Sequence, residues 1–127
     1  MTRKVLIVDD DAHIRLLLAQ TLDALVDAGL EVTTAADGGA ALEAIRRERP
    51  ALVLLDVMMP VMNGFDVCRA VKSDPELAST FVVLITAKGQ GFDRETGAGV
   101  GTDRYLTKPF DPEDVLALAA EALGLTL

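Results

Sequence analysis

Five short runs rich in Leu, Val and Ile begin near residues 4, 30, 52, 81 and 104, and four of them stop abruptly on a chemically competent side chain. Val5-Leu6-Ile7-Val8 stops at Asp9-Asp10, and Leu52-Val53-Leu54-Leu55 stops at Asp56. Phe81-Val82-Val83-Leu84-Ile85 ends on the hydroxyl of Thr86, and Tyr105-Leu106-Thr107 ends on Lys108-Pro109. The segments between carry helical periodicity or helix boundary signals. Strands that are apolar without a break need cover on both faces. The alternation therefore predicts an α/β fold of three layers, a doubly wound five-stranded parallel sheet with right-handed crossovers. In such a sheet three carboxylates, an ammonium and a hydroxyl meet above the carboxyl edge, a site for a divalent cation and a phosphoryl group.

The second run, about Glu31 to Ala35, ends without comparable chemistry, so it belongs at a sheet edge. The order 2-1-3-4-5 achieves this and opens the crevice between strands 1 and 3, where doubly wound sheets bind ligands. The first helix is capped by Asp10 or Asp11, carries Ile14, Leu17, Leu18, Leu22 and Leu25 at helical spacing, and stops at Gly29. A second runs from about Gly39 to Glu48 with Leu42 and Ile45 inward. A third covers Gly64 to about Lys72, with Phe65, Val67, Cys68 and Val71 apolar. The last begins at Asp111-Pro112, a cap followed by proline in the first turn, and reaches about Leu123. Between Thr86 and Arg104, glycines at 89, 91, 97, 99 and 101 make any helix, around Phe92 to Ala98, short and loosely held.

The chain of 127 residues is one domain, 1–127, with half its residues hydrophobic and a quarter charged. A net charge of −8 argues against binding nucleic-acid phosphates directly or an anionic membrane surface, and leaves protein and cation partners open. Cys68 is the single cysteine, which excludes an internal disulfide and a CxxC metal site. No apolar run has the length of a secretory h-region or a membrane span, so the expected location is cytoplasmic.

Asp9, Asp10 and Asp56 would lie close together, and two unit charges 4 Å apart repel by about 4 kcal/mol at an effective dielectric of 20. Lys108 supplies part of the balance. The ligands are all oxygen, so the ion expected for the rest is Mg²⁺. An isolated VDDD would be read as helix capping, and an isolated Asp56 as a loop carboxylate. Their joint occurrence with Thr86 and Lys108 at matching strand ends favours a site. Asp56, on the middle strand, is the natural nucleophile toward phosphorus. The acyl phosphate it would form needs the Lys108 ammonium, the Thr86 hydroxyl and Mg²⁺ around it. Pro109 also allows a cis Lys108–Pro109 peptide.

In KVLIVDDD, LVLLDVMMPVMNGFDVCRAVK, VVLITAK and GTDRYLTKPF, in that order and spacing, the chain resembles the receiver domain of bacterial two-component response regulators, of the chemotaxis-regulator kind, from about Lys4 to Leu123. The resemblance implies a flavodoxin-like (βα)5 fold and phosphorylation of Asp56 by a sensor histidine kinase or a histidine phosphotransfer domain. It implies Mg²⁺ held by Asp10, Asp56 and the Met58 backbone carbonyl, with Asp9 acting mainly through water. It implies phosphate contacts from Lys108 and Thr86, and a rotamer change of Tyr105 coupled to Thr86. The readout surface would be the fourth helix, the fifth strand and the last helix, and a phosphorylation-dependent homodimer could form there. Met58 and Lys88 would set the lifetime of the phosphoryl group. On this reading the chain is a signalling phosphoacceptor, promoting only its own phosphorylation and dephosphorylation, and it serves a downstream protein target or an output domain outside this sequence. His13 could line the contact with the phosphodonor.

Three alternatives share parts of the pattern. An aspartate-nucleophile phosphatase of the haloacid-dehalogenase type wants DxD at the nucleophile, and Met58 stands where its second Asp would be. A flavodoxin-like electron carrier wants a hydroxyl-rich loop after strand 1, where this chain has three aspartates. A receiver-like module that only binds proteins, never phosphorylated, would not need Asp56, Asp10, Thr86 and Lys108 together.

Overall fold

The computed structural model describes residues 3–87 and 101–125. Five strands, β1 (Arg3–Val8), β2 (Leu30–Ala35), β3 (Leu52–Asp56), β4 (Phe81–Ala87) and β5 (Arg104–Lys108), form one parallel sheet in the order β2-β1-β3-β4-β5. The helices are α1 (Ala12–Leu22), α2 (Gly38–Glu48), α3 (Gly64–Ser73) and α4 (Pro112–Leu123). The helix expected around Phe92 to Ala98, with the fourth-helix part of the readout surface and Lys88, lies outside the described residues.

Alternation along each strand divides the core into two layers. Leu6, Val8, Val53, Leu55, Val82 and Leu84 face α2 and α3, where they meet Leu42, Ile45, Phe65, Val67, Cys68 and Val71. Val5, Ile7, Leu52, Leu54, Val83, Ile85 and Leu106 face the other way, onto Leu18 and Leu22 of α1 and Val115, Ala119 and Leu123 of α4. Both faces of β1, β3 and β4 are thus dry, which explains their unbroken apolar sequences. Each fully buried aliphatic side chain contributes about 1.5–3 kcal/mol of transfer free energy.

Each of these four α-helices begins on a side-chain cap. Asp11 accepts from the His13 N–H at 2.8 Å, Asp37 from Ala40 at 2.8 Å, Asn63 from Asp66 at 2.9 Å and Asp111 from Glu113 at 3.0 Å. These bonds satisfy donors that the first helical turn leaves free. The first helix departs from its expected extent: α1 ends at Leu22, and Asp23–Ala28 tightens into a 3₁₀ helix before Gly29 takes φ 86°. Leu25 is still buried, because the tighter coil turns it onto the same core. Leu17, expected inward, is instead 42% exposed, beside an exposed Leu16. The packed stripe of α1 is carried by Leu18 and Leu22.

Candidate functional site

Sheet register carries the chemistry to one edge. Val8 pairs with Leu55, so Asp9 and Asp56 follow one another across adjacent strands; Asp56 itself pairs with Ile85, and Ala87 with Lys108. The Lys108 Nζ donates to Asp9 Oδ2 at 2.8 Å and to Asp56 Oδ1 at 3.3 Å. Carboxylate oxygens of Asp9, Asp10 and Asp56 all lie within 4.8 Å of one another. Asp9 and Asp56 are 0% and 4% exposed, whereas Asp10 faces solvent. The Lys108–Pro109 peptide is cis.

The charges do not balance. Burial pushes the Asp56 carboxyl up to about 6, and the neighbouring charge of Asp9 adds to the rise; Lys108 opposes it without cancelling it. For Lys108, burial alone would lower its pKa, but the hydrogen bond to Asp9 and the charge of Asp56 outweigh burial and hold it above its ordinary value. One ammonium thus serves three carboxylates. An all-oxygen donor set with surplus negative charge fits a hard divalent cation of the Mg²⁺ kind. Met58, half-exposed two residues after Asp56, places its backbone within the same loop.

Asp9 is tightly held. Its Oδ1 accepts the Asp11 N–H at 2.9 Å, and its backbone carbonyl accepts from Arg15 Nη1 at 2.7 Å. With Lys108 on Oδ2, both carboxylate oxygens are engaged. The loop after Asp56 is pressed against the strand: the Gly64 N–H donates to the Val57 carbonyl at 2.9 Å, and a Cβ at Gly64 would stand 2.4 Å from the Asp56 carbonyl oxygen. Only glycine permits that approach. Arg15 escaped the sequence reading, because a helical arginine carries no distinctive signal.

Thr86 is half-buried on the penultimate position of β4. Tyr105 pairs with Leu84 and packs against the core on the α2 and α3 side. Side-chain alternation puts Thr86 on the same face as Leu84, so Thr86 and Tyr105 are diagonal neighbours on adjacent strands. His13 is exposed in the first turn of α1, outside the carboxylate cluster. A further feature was not expected: Ile14, Leu17, Ala87, Pro109 and Phe110 line an apolar hollow of about 430 Å³ that also reaches Lys108. Its sequence trace is the run Leu16-Leu17-Leu18, which makes α1 apolar around more than one face.

Residues 5–120 match the family described as the response regulator receiver domain. A probable transcriptional regulator, ycf27, of Pyropia yezoensis is 41% identical over 114 residues, covering 90% of this chain and 44% of the relative. The chain spans about half the length of the curated relatives it matches. Among solved structures, chemotaxis response regulator CheY4 of Vibrio cholerae has a TM-score of 0.84 at 37% identity, covering 96% of this chain and 99% of that one. The receiver domain of sensor histidine kinase PA1611 from Pseudomonas aeruginosa, with a magnesium ion in its active-site cleft, has a TM-score of 0.85 at 26% identity, covering 98% of this chain and 99% of the other. No helix among the described residues is long and apolar enough to cross a membrane.

Proposed function

The chain belongs to the response regulator receiver family, and on that premise we propose that Asp56 is its phosphoacceptor, taking a phosphoryl group from a phosphohistidine of a sensor histidine kinase or a histidine phosphotransfer domain. The observation that carries this is the Lys108 ammonium bridging Asp9 and Asp56, side chains 99 and 52 residues away in sequence, at the carboxyl edge of the sheet. An Asp56 oxygen forms the new bond to phosphorus as the bond from the histidine nitrogen breaks, and the imidazole leaves with the electron pair. Lys108 holds Asp56 in place before transfer and neutralises phosphoryl oxygens after it. Thr86 offers its hydroxyl to one of those oxygens. Asp10, Asp56 and the Met58 carbonyl are the residues that would hold Mg²⁺, with Asp9 acting through water because its oxygens already accept hydrogen bonds. When bound, that ion supplies positive charge between the carboxylates and the phosphoryl group.

The phosphodonor approaches over α1 and the segment after β5, where Ile14, Leu17, Pro109 and Phe110 give an apolar footing beside Lys108, with the exposed His13 next to Ile14 in sequence. After transfer, Thr86 moves toward the phosphoryl group and Tyr105 turns inward, altering the surface of β5 and α4 for a downstream protein target, an output domain or a second copy of the chain. The chain works in the cytoplasm as a switch that promotes only its own labelling and hydrolysis, with no direct nucleic-acid or membrane contact.

Incubation with Mg²⁺ and a small acyl-phosphate donor, read by intact mass, tests the assignment. Wild type gains one phosphoryl group and Asp56→Asn gains none. Equal labelling of the two overturns Asp56 as acceptor, and continuous turnover of a phosphate ester would indicate a phosphatase instead.

A further inference from the structure

Asp10 is the exposed member of the carboxylate cluster, and its position is set by the residue before it. Asp9 is engaged at every polar atom. Its N–H donates to the Ala35 carbonyl at 3.2 Å. Its Oδ1 accepts from the Asp11 N–H at 2.9 Å and its Oδ2 from the Lys108 Nζ at 2.8 Å. Its carbonyl oxygen accepts from Arg15 Nη1 at 2.7 Å. That carbonyl belongs to the peptide joining Asp9 to Asp10, and a peptide is planar. Fixing its oxygen therefore fixes the nitrogen and Cα of Asp10, from which the Asp10 carboxylate projects.

The donor side of this bond is equally firm. Arg15 stands in α1, where its N–H donates to the Asp11 carbonyl at 3.1 Å, and Leu18 and Leu22 seat that helix on the sheet. The guanidinium reaches back six residues to the end of β1. A hydrogen bond from an ionised donor is about twice as strong as a neutral one, and Asp9 is 0% exposed, so solvent does not compete for its carbonyl. An arginine this near the carboxylates also repels an incoming divalent ion. Geometry and charge thus act on cation binding with opposite signs, which makes them separable.

We propose that Arg15 is a positioning residue for the cation site: by fixing the Asp9–Asp10 peptide it holds the Asp10 carboxylate beside Asp56, in place for a divalent ion. This rests on the reading that Asp10 and Asp56 hold Mg²⁺. A carboxylate already in place gives up less conformational freedom when the ion arrives, so affinity rises without any new contact. Partners one step removed from a metal typically carry about ten- to a hundredfold of its affinity.

Calorimetric titration with Mg²⁺ tests this on wild type, Arg15→Met, Arg15→Lys and Lys72→Met, with thermal unfolding in a chelator to confirm that each is folded at the titration temperature. Arg15→Met is expected to bind Mg²⁺ about tenfold more weakly. Loss of positive charge alone would tighten binding, so unchanged or tighter binding overturns the proposal. Arg15→Lys keeps a donor together with the charge and should bind more tightly than Arg15→Met. Charge alone gives the reverse order, and equal or weaker binding by the lysine variant overturns the hydrogen bond as the cause. Should Arg15→Met fail to fold, Arg15→Gln carries the same test. Lys72 donates to the Thr80 carbonyl at 2.6 Å, at the other end of the sheet, and controls for general loosening. Lys72→Met should bind as wild type does, and an equal weakening there overturns the positioning role. Wild type failing to bind Mg²⁺ would remove the cation site itself, an outcome distinct from a shared affinity among the variants.

Discussion

Two lysine–aspartate clusters stand at opposite ends of the sheet, and they are built to opposite purposes. At the amino end, Lys72 of α3 donates to the Ala78 carbonyl at 3.1 Å, the Thr80 carbonyl at 2.6 Å and Asp103 Oδ2 at 2.8 Å. Those acceptors use all three donors of an ammonium. Asp103 also accepts the Val82 N–H at 2.8 Å, so one cation and one anion close a saturated knot joining α3, β4 and the approach to β5. At the carboxyl end, Lys108 faces Asp9 and Asp56 with Asp10 nearby. The two lysines are comparably shielded, 16% and 23% exposed. Burial therefore does not distinguish structure from function here. Surplus charge does.

Phosphoryl labelling should separate the two clusters most strongly. Asp56→Asn should lose it entirely, whereas Lys72→Met should retain it under conditions where the protein is folded. Loss of labelling in both would mean that the two ends are not separable. Stability gives the next largest effect. Lys72→Met leaves Asp103 shielded without its cation and should cost about 3 kcal/mol by denaturant unfolding, with no recovery in Mg²⁺. Lys108→Met leaves the buried Asp9 and Asp56 without their cation and should cost a similar amount in the absence of metal, but should regain part of it in Mg²⁺, because a divalent ion replaces the missing charge.

Surplus charge should also show, more weakly, in the pH dependence of stability. Asp56 has its folded pKa raised to about 6 from an ordinary 3.8, so the folded protein binds the proton more readily than the unfolded chain does. Stability in the absence of metal should fall as pH rises through the window between those values and stay low above it. Asp56→Asn removes the penalty: it should be more stable than wild type at pH 7–8 by about 1–2 kcal/mol after solvent screening. That gain should vanish below about pH 4. A gain that persists in acid would assign it to packing rather than charge. The smallest expected change is Leu17→Ala, within about 1 kcal/mol in unfolding because the side chain is half in solvent. Labelling by a small acyl phosphate should be unaffected in that variant, while transfer from a phosphohistidine protein slows.

The saturated cluster was invisible in the sequence, and the unsaturated one was plain. Asp9, Asp10, Asp56 and Lys108 stand where apolar strands end, so the register of a parallel sheet brings them together whatever the intervening helices do. Lys72 and Asp103 meet through the end of α3 and the approach to β5, and neither position is marked by its neighbours. The strands were legible because two-sided burial demands continuous apolar runs. The end of α1 was less so, since Leu25 keeps its contact with the core in a 3₁₀ coil and thus mimics helical spacing. Leu17 looked like core by the same spacing. Val61 gave no warning at all, because it takes a φ of 72° and valine carries no turn signal.

The glycines at 38 and 64 leave the loop beneath the site no room to sink. Backbone oxygen already fills the space a methyl group would need at each, 2.0 Å and 2.4 Å away. Travel is consequently one-directional: the segment can lift toward solvent but not settle inward, like a latch resting on two stops. Anyone reshaping this edge to accept a new signalling partner can vary its rim freely, yet must leave both stops bare.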